Sequence, residues 1–367
     1  MECPHIVEIN RDEFYERISK KIEANRAPHA GTIELTFRCN LNCVHCYVSS
    51  LEPSGEELVY EDICDILDTA VGQGFLSLLI TGGEPLIRPD FLDIYTYAKK
   101  NGLIITLFTN GTLITEEIAD YLQEWPPYAV EITLHGIKEE TYEKITGVKG
   151  SFEKCMKGIQ LLLERNIPLN LKTMVMKQNK NELDEIKKYV KELGLDYRFD
   201  AFIHAGLGGN KNPCRVRLSP EELVQLDIED EEKSQAWIEF CQEHWGPLSS
   251  GKLYNCGAGW NSFHIDPLGR MSVCGSARFP YYDLRQGSFE EGYYDFFPKI
   301  LSQKLKSTQY KCDQCEMRLL CDQCPGLAQL ETNDSEKPVE YICRIAHLRA
   351  KAFKKEVKKI GQNQKAV

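Results

Sequence analysis

LSLLITGGEPLIRPDFLDIYTYAKKNGLIITLFTNG, residues 76–111, contains two short β-rich runs, LSLLITGG at 76–83 and IITLFTNG at 104–111, with a longer segment between them. The same alternation continues on both sides. GTIELTF (31–37) precedes it, and AVEITLHG (129–136), LNLKTMVM (169–176) and YRFDAFI (197–203) follow, making six strands. The intervening segments have helical periodicity: Ile63, Ile66, Leu67 and Ala70 recur at three and four residues, as do Leu183, Ile186, Tyr189, Val190 and Leu193. Strand then helix, six times over, implies a parallel sheet with right-handed crossovers. Six units are two short of a closed eight-stranded barrel, so the expected fold is α/β, an open partial (β/α)6 TIM-like barrel over residues 31–216. Its chemistry is expected at the C-terminal ends of the strands, where the following loops meet.

The chain has 367 residues, 42% hydrophobic and 27% charged, enough for one large domain plus a smaller one. A formal charge of -11 repels a phosphate backbone, so nucleic acid is not an expected partner. The start, MECPHIVEINRDEF, lacks an export signal, and no stretch approaches the ~18 apolar residues of a membrane span. A soluble, cytoplasmic protein without a membrane partner is expected. In that reducing setting fifteen cysteines point to metal and not to a disulfide framework. Residues 1–30 form an N-terminal segment. Residues 217–253 read as an acidic surface linker, in which LSPEEL starts a helix capped by Ser219 with Pro220 and Glu221 in its first turn. From 254 to 345 periodicity fades and cysteine density rises, as in a small domain held by metal. The basic tail, 346–367, reads as a helix packing through Leu348, Ala352 and Phe353, or else as a docking element for an acidic partner.

Directly after the first strand comes CNLNCVHC, with Cys39, Cys43 and Cys46 in one loop. Three thiolates this close can converge on one soft metal centre and leave part of it open, as catalytic metal sites do. About forty residues later TGGEPL ends the second strand. The two motifs together resemble the radical S-adenosylmethionine (SAM) superfamily over roughly residues 30–215. The resemblance implies a [4Fe-4S] cluster on Cys39, Cys43 and Cys46 whose free iron is chelated by SAM. Cleavage of SAM would give a 5'-deoxyadenosyl radical that abstracts hydrogen from the substrate. It also implies that Gly82, Gly83, Glu84 and Pro85 hold the methionyl ammonium and that His45 contacts adenine. Thr109, Asn110 and Thr133 would lie near the ribose and carboxylate. His135 stands where relatives often carry aspartate. On local grounds alone, the glycine pair and Thr109-Asn110-Gly111 also read as turns into helices.

Downstream come Cys256, Gly269, Cys274, Cys312, Cys315, Cys321, Cys324 and Cys343. This order resembles the SPASM extension of peptide-modifying radical SAM enzymes. By that resemblance Cys312, Cys315, Cys321 and Cys343 ligate one auxiliary [4Fe-4S] cluster, and Cys256, Cys274 and Cys324 ligate a second. Cys321 and Cys324 stand closer than the family spacing, and no cysteine lies between Cys256 and Cys274, where fully ligated relatives have one. Two Cys-x2-Cys pairs also fit a zinc ribbon. Cys3, Cys64, Cys155, Cys214 and Cys241 read as packing or surface residues.

An oxidative product requires an electron and a proton to leave the substrate after hydrogen abstraction. An auxiliary cluster can take the electron, and Asp200, His204, Lys172 and Glu131 are the candidate bases near the strand ends. The expected activity is that of a SPASM-type maturase forming a crosslink or an oxidised side chain in a peptide or protein. Few residues precede the first strand, so a separate small peptide-recognition protein is one expected partner, besides an electron donor such as flavodoxin or ferredoxin. Two alternatives stand beside it: a radical SAM enzyme acting on a small molecule or tetrapyrrole, and an iron-sulfur electron-transfer or metal-stabilised interaction protein without chemistry of its own.

Overall fold

The computed structural model describes residues 25–48, 55–248, 250–307 and 310–363, and side chains as far as residue 354. Cys3 and most of the N-terminal segment lie outside the described residues. Six parallel strands run side by side in reverse chain order: β1 (Ala30–Glu34), β2 (Ser77–Thr81), β3 (Ile104–Thr109), β4 (Ala129–Thr133), β5 (Leu169–Met174) and β6 (Asp196–Asp200). Helices α1 (Tyr60–Gly72), α2 (Phe91–Lys100), α3 (Glu116–Glu124), α4 (Glu139–Thr146), α5 (Ser151–Glu164) and α6 (Leu183–Glu192) fill the crossovers. This is the open partial barrel the alternation implies.

Its core is the layer between sheet and helices. Leu78, Ile80, Ile105, Leu107, Val130, Ile132 and Leu171 are buried on the strands against Ile63, Leu67, Ala70, Ile94, Leu122, Leu162 and Ile186 on the helices. Each valine, leucine or isoleucine side chain among them is worth about 1.5–3 kcal/mol when removed from water. Cys64 and Cys155 are buried on helix faces, as packing residues would be. The strands end earlier than the apolar runs suggest. After Glu34 and Asp200 the chain leaves the ladder while staying buried, so Leu35, Ala201 and Ile203 belong to the loops that build the site.

Beyond Glu243 the chain does more than form an appended domain. Strand β7 (Ser262–Ile265) pairs in parallel with β1 and extends the barrel sheet. Then β8 (Arg270–Ser272) and β9 (Tyr282–Asp283) continue it antiparallel. The approach is close enough that a Cβ at Gly31 would collide with the Phe263 ring. The segment read as a surface linker is instead two packed helices, α7 (Pro220–Glu229) and α8 (Glu231–Glu243), which bury Leu223, Val224 and Cys241. Ser219 caps α7 as its sequence indicates, in a reciprocal capping box with Glu222. After the short helix α9 (Phe297–Leu301) come α10 (Pro325–Thr332) and α11 (Glu340–Asn363). Helix α11 lies along α7 and α8 through Leu348, Ala352 and Phe353. No described helix is long and apolar enough to cross a membrane.

Candidate active site

A cavity of about 820 Å³ opens at the C-terminal ends of β2 to β6. Cys39, Cys43 and Cys46 line one wall and Gly82 and Gly83 the next; Thr109, Asn110, Thr133, Lys172 and Asp200 follow around the strand ends. The cysteine loop is held by main-chain bonds to the end of α4: Asn42 N–H donates to Thr146 O at 2.8 Å and Val44 N–H to Ile145 O at 2.9 Å. Burial raises the Cys39 and Cys43 thiol pKa values, and the neighbouring loop thiols push both further in the same direction. Opposing this at Cys39, the Leu41 N–H lies 3.4 Å and the Asn110 amide 3.8 Å from Sγ, each donating to it.

The glycines after β2 are fixed by the same loop. Gly83 N–H donates to Thr36 O at 2.7 Å and Glu84 N–H to Arg38 O at 2.9 Å. Gly82 has φ 142°, and a Cβ there would strike the Thr36 oxygen; at Gly83 it would strike the Arg38 oxygen. Only glycines allow this main-chain contact.

Glu84 is fully buried and does not line the cavity. Its carboxylate accepts from Thr109 Oγ1 (2.8 Å), Asn110 N (2.7 Å) and Leu86 N (3.2 Å), tying the glycine turn to the end of β3. Burial raises its pKa to about 7, against the pull of those donors. Pro85 is buried, opens a single helical turn and likewise stays off the cavity wall. The ammonium-binding reading therefore retains the glycine main chain at the wall, with Glu84 and Pro85 standing behind it.

His45 and His135 both line the cavity, with their rings edge to face at 4.9 Å. Burial drives the His45 pKa down to about 4 and lowers that of His135, to which His45 and then Lys172 add. Both rings are therefore neutral near pH 7. Each also has a buried Nδ1 with no hydrogen-bond partner among the described residues. Unpaired buried polar atoms cost free energy, so their presence in a cavity wall fits a ligand with complementary groups. A nucleoside beside a thiolate-bound cluster is such a ligand.

Of the four candidate bases, Asp200, His204 and Lys172 line the cavity and Glu131 does not. Glu131 shares a face of β4 with Thr133 but sits deeper, where its Oε2 holds Lys172 Nζ at 3.3 Å and Arg198 at 2.5 Å. It is an anchor for those cations. Asp200 Oδ1 accepts from Phe202 N–H at 2.8 Å, and His204 Nδ1 lies 2.7 Å from Ala205 O. Sequence reading missed Phe108, Arg198 and Lys233 in this wall. Lys233 arrives from α8, donates to Phe199 O at 2.9 Å and closes the side opposite the cysteines. Its only signal is a lysine in an otherwise acidic stretch.

The downstream cysteines fall into two groups. In one, the pKa values of Cys274 and Cys324, raised first by burial, are pushed up further by the charge of Cys256, and that of Cys324 also by Cys274. In the other, Cys312 feels Cys315 and Cys343, Cys321 feels Cys312, and Cys343 feels Cys315. Thiols in one another's fields are a donor set suited to iron-sulfur ligation. Cys324 stands at the N-cap of α10 and Cys343 on the first turn of α11, so the two sets are tied to different helices. No group of three or more described His, Cys, Asp or Glu side chains closes around a point that a single ion could occupy.

Glu34, at the end of β1, is 2% exposed and takes a bidentate contact from Arg278 at 2.7 and 2.6 Å. His264 Nε2 on β7 lies 3.4 Å from the same carboxylate. Burial alone would raise the Glu34 pKa; His264 and then Arg278 outweigh it and hold the pKa down to about 2. The pair links β1 to the loop carrying Cys274.

Residues 33–190 match the family model described as the radical SAM superfamily. The chain is 29% identical over 341 residues to the AdoMet-dependent heme synthase of Methanosarcina barkeri, spanning 85% of this chain and 95% of that protein. It is 28% identical over 303 residues to the antilisterial bacteriocin subtilosin biosynthesis protein AlbA of Bacillus subtilis, spanning 81% and 65%. Among solved structures, Streptococcus suis SuiB bound to precursor peptide SuiA has the same fold, with a TM-score of 0.68 at 16% identity over 94% of this chain and 84% of that one.

Proposed function

Because residues 33–190 match the radical SAM superfamily model, we propose that the chain is a SPASM-type maturase that oxidises or crosslinks a side chain of a peptide. Its cofactors are SAM and [4Fe-4S] clusters. When bound, they supply one-electron cleavage of a sulfonium and, through it, hydrogen-atom abstraction from the substrate. The observation that carries the reading is the convergence on one cavity of the three loop thiols, the double-glycine main chain and two neutral imidazoles with unpaired Nδ1 atoms.

In this reading Cys39, Cys43 and Cys46 hold the cluster, Gly82 and Gly83 present main chain to the methionyl group, and His45 and His135 face the nucleoside. Thr109, Asn110 and Thr133 set the floor; Glu84 braces it from behind. Lys172, with Asp200 and His204 on the same wall, is placed to take the proton that the substrate loses, and the thiols of the two downstream groups would hold auxiliary clusters suited to one-electron transfer. The likeness to a protein named for subtilosin biosynthesis supports a peptide substrate. A cytoplasmic setting suits thiols that must stay reduced, and a one-electron donor such as flavodoxin or ferredoxin would supply the electron that SAM cleavage needs.

The test is anaerobic reconstitution followed by reduction with SAM and any short peptide or protein that the neighbouring genes encode. Release of 5'-deoxyadenosine and loss of two hydrogens from the peptide are expected, with neither seen in the Cys39→Ala/Cys43→Ala/Cys46→Ala protein. The heme synthase likeness, which spans nearly all of that relative, favours a second reading with a tetrapyrrole substrate. Turnover of a porphyrin carboxylate with no change in any peptide would establish that reading instead.

A further inference from the structure

A second, larger cavity of about 1280 Å³ lies between the barrel loops and the C-terminal region. It exceeds the roughly 300–1,000 Å³ of ordinary small-molecule sites, which leaves room for a larger ligand. Phe37 lines both this groove and the active-site cavity, so the two meet at the cysteine loop. The protein carries a net charge of -11, yet the groove is lined by six cationic side chains and only three carboxylates.

Three of the cations are already used. Arg217 pairs with Glu331 at 2.8 Å, Arg278 with Glu34, and Arg344 with Glu221 at 3.0 Å. Lys211, Arg270 and Lys337 have no ion-pair partner among the described residues. They come from three separate places: the loop after β6, strand β8 and the turn before α11. Of the carboxylates, Glu331 pairs with Arg217; Asp266 Oδ1 accepts from Leu268 N–H and Arg270 N–H and also feels the Arg270 charge; Glu340 is the third. At the mouth Phe279 is 75% exposed and Tyr281 37% exposed, with the Arg270 guanidinium 4.9 Å above the Tyr281 ring. A large apolar side chain left this open beside unpaired cations is a feature of recognition surfaces.

We propose that this groove binds an acidic segment of the substrate peptide, with Lys211, Arg270 and Lys337 facing its carboxylates and Phe279 packing against an apolar residue, so that the adjoining residue reaches the cavity past Phe37. The proposal rests on the peptide-maturase reading and adds to it a charge preference and a location. Specificity comes from the three unpaired cations, since complementary charge selects partners and speeds their encounter.

The probe is a fluorescein-labelled peptide of Glu, Leu and Gly, compared with the same peptide carrying Gln for every Glu, on the reconstituted enzyme by fluorescence anisotropy. Three exposed charge pairs predict about ten-fold tighter binding of the Glu peptide, a preference lost near 1 M salt, where the screening length falls to about 3 Å. Lys211→Gln/Arg270→Gln/Lys337→Gln should abolish the preference and leave peptide-free SAM cleavage unchanged; Phe279→Ala should weaken both peptides equally. Equal binding of the two peptides, or an undiminished preference in the triple variant, would overturn the groove assignment while the mass change of the precursor peptide still decides the maturase reading. Binding of a tetracarboxylate porphyrin that neither peptide displaces, with no mass change in the precursor, would overturn both.

Discussion

At Lys172 burial outweighs the attraction of Glu131 and, with Arg198 adding to it, brings the ammonium down from 10.5 to about 8. The sign for folding follows: the buried cation is a cost below about pH 8, and that cost is relieved as pH rises from 8 to 10.5, where only the unfolded chain holds the proton. For catalysis the neutral amine is the useful form. Peptide oxidation should therefore rise as pH passes about 8, and Lys172→Met should flatten that limb and lower the yield of oxidised peptide by about 10²-fold or more, the usual worth of a positioned base. Release of 5'-deoxyadenosine should persist, uncoupled from product. A pH–rate profile of both products checks this, and an unchanged limb in the variant would remove Lys172 from the role. Sequence placed Lys172 and Glu131 near strand ends alike, because alternation fixes the face of a strand that a residue occupies but not its depth along the barrel. Only the contacts separate the group that lines the cavity from the one beneath it.

The glycine turn after β2 works by main-chain contact, which makes it sensitive to one carbon atom. Gly83→Ala drives a Cβ into the Arg38 carbonyl, and main chain on both sides has little room to yield. The expected cost is about 1–3 kcal/mol of stability, as for overpacking elsewhere. The larger effect should be on SAM affinity, read by equilibrium dialysis, because the displaced loop carries Cys39. Iron content should stay intact if the displacement is confined to the turn. The helices carry a separate prediction. Cys312→Ser/Cys343→Ser should remove about four of about twelve irons per chain and abolish peptide oxidation while sparing SAM cleavage, as measured by iron analysis and product assay. Loss of all iron would mean that the second thiol group does not hold a cluster of its own. At this scale the strand and helix sequence was legible, since four of the six β-rich runs begin or end on glycine and the helices between them repeat an apolar face. Strand β7 was not: SFHI is four residues long, and its partner Gly31 lies more than two hundred positions away. Lys233 was hidden for the same reason, since its place in the cavity wall depends on how α8 packs.

At the scale of the whole molecule, one ion pair joins the start of the barrel to the region that follows it. Glu34, buried, and Arg278, partly buried, are 244 positions apart and doubly hydrogen-bonded, and they connect the barrel to the loop of Cys274. Removing Arg278 leaves the buried Glu34 carboxylate with His264 as its remaining neighbour, so Arg278→Met should cost less than the about 3–5 kcal/mol of a wholly uncompensated buried charge. Removing both is milder, and Glu34→Gln/Arg278→Met should recover at least half of the loss, because the pair is coupled. The pH dependence has a definite sign: with a folded pKa of about 2 against 4.5 for a free glutamate, the stabilisation is complete above about pH 4.5 and drains away as pH falls toward 2. Denaturant unfolding of wild type, both single variants and the double variant, all reconstituted and at pH 7, gives the coupling directly. If the link also seats the Cys274 loop against the barrel, Arg278→Met should lose iron from that thiol group before any from the group on α11. Equal stability of all four proteins would show that the sheet contact between β1 and β7 is sufficient to hold the C-terminal region in place.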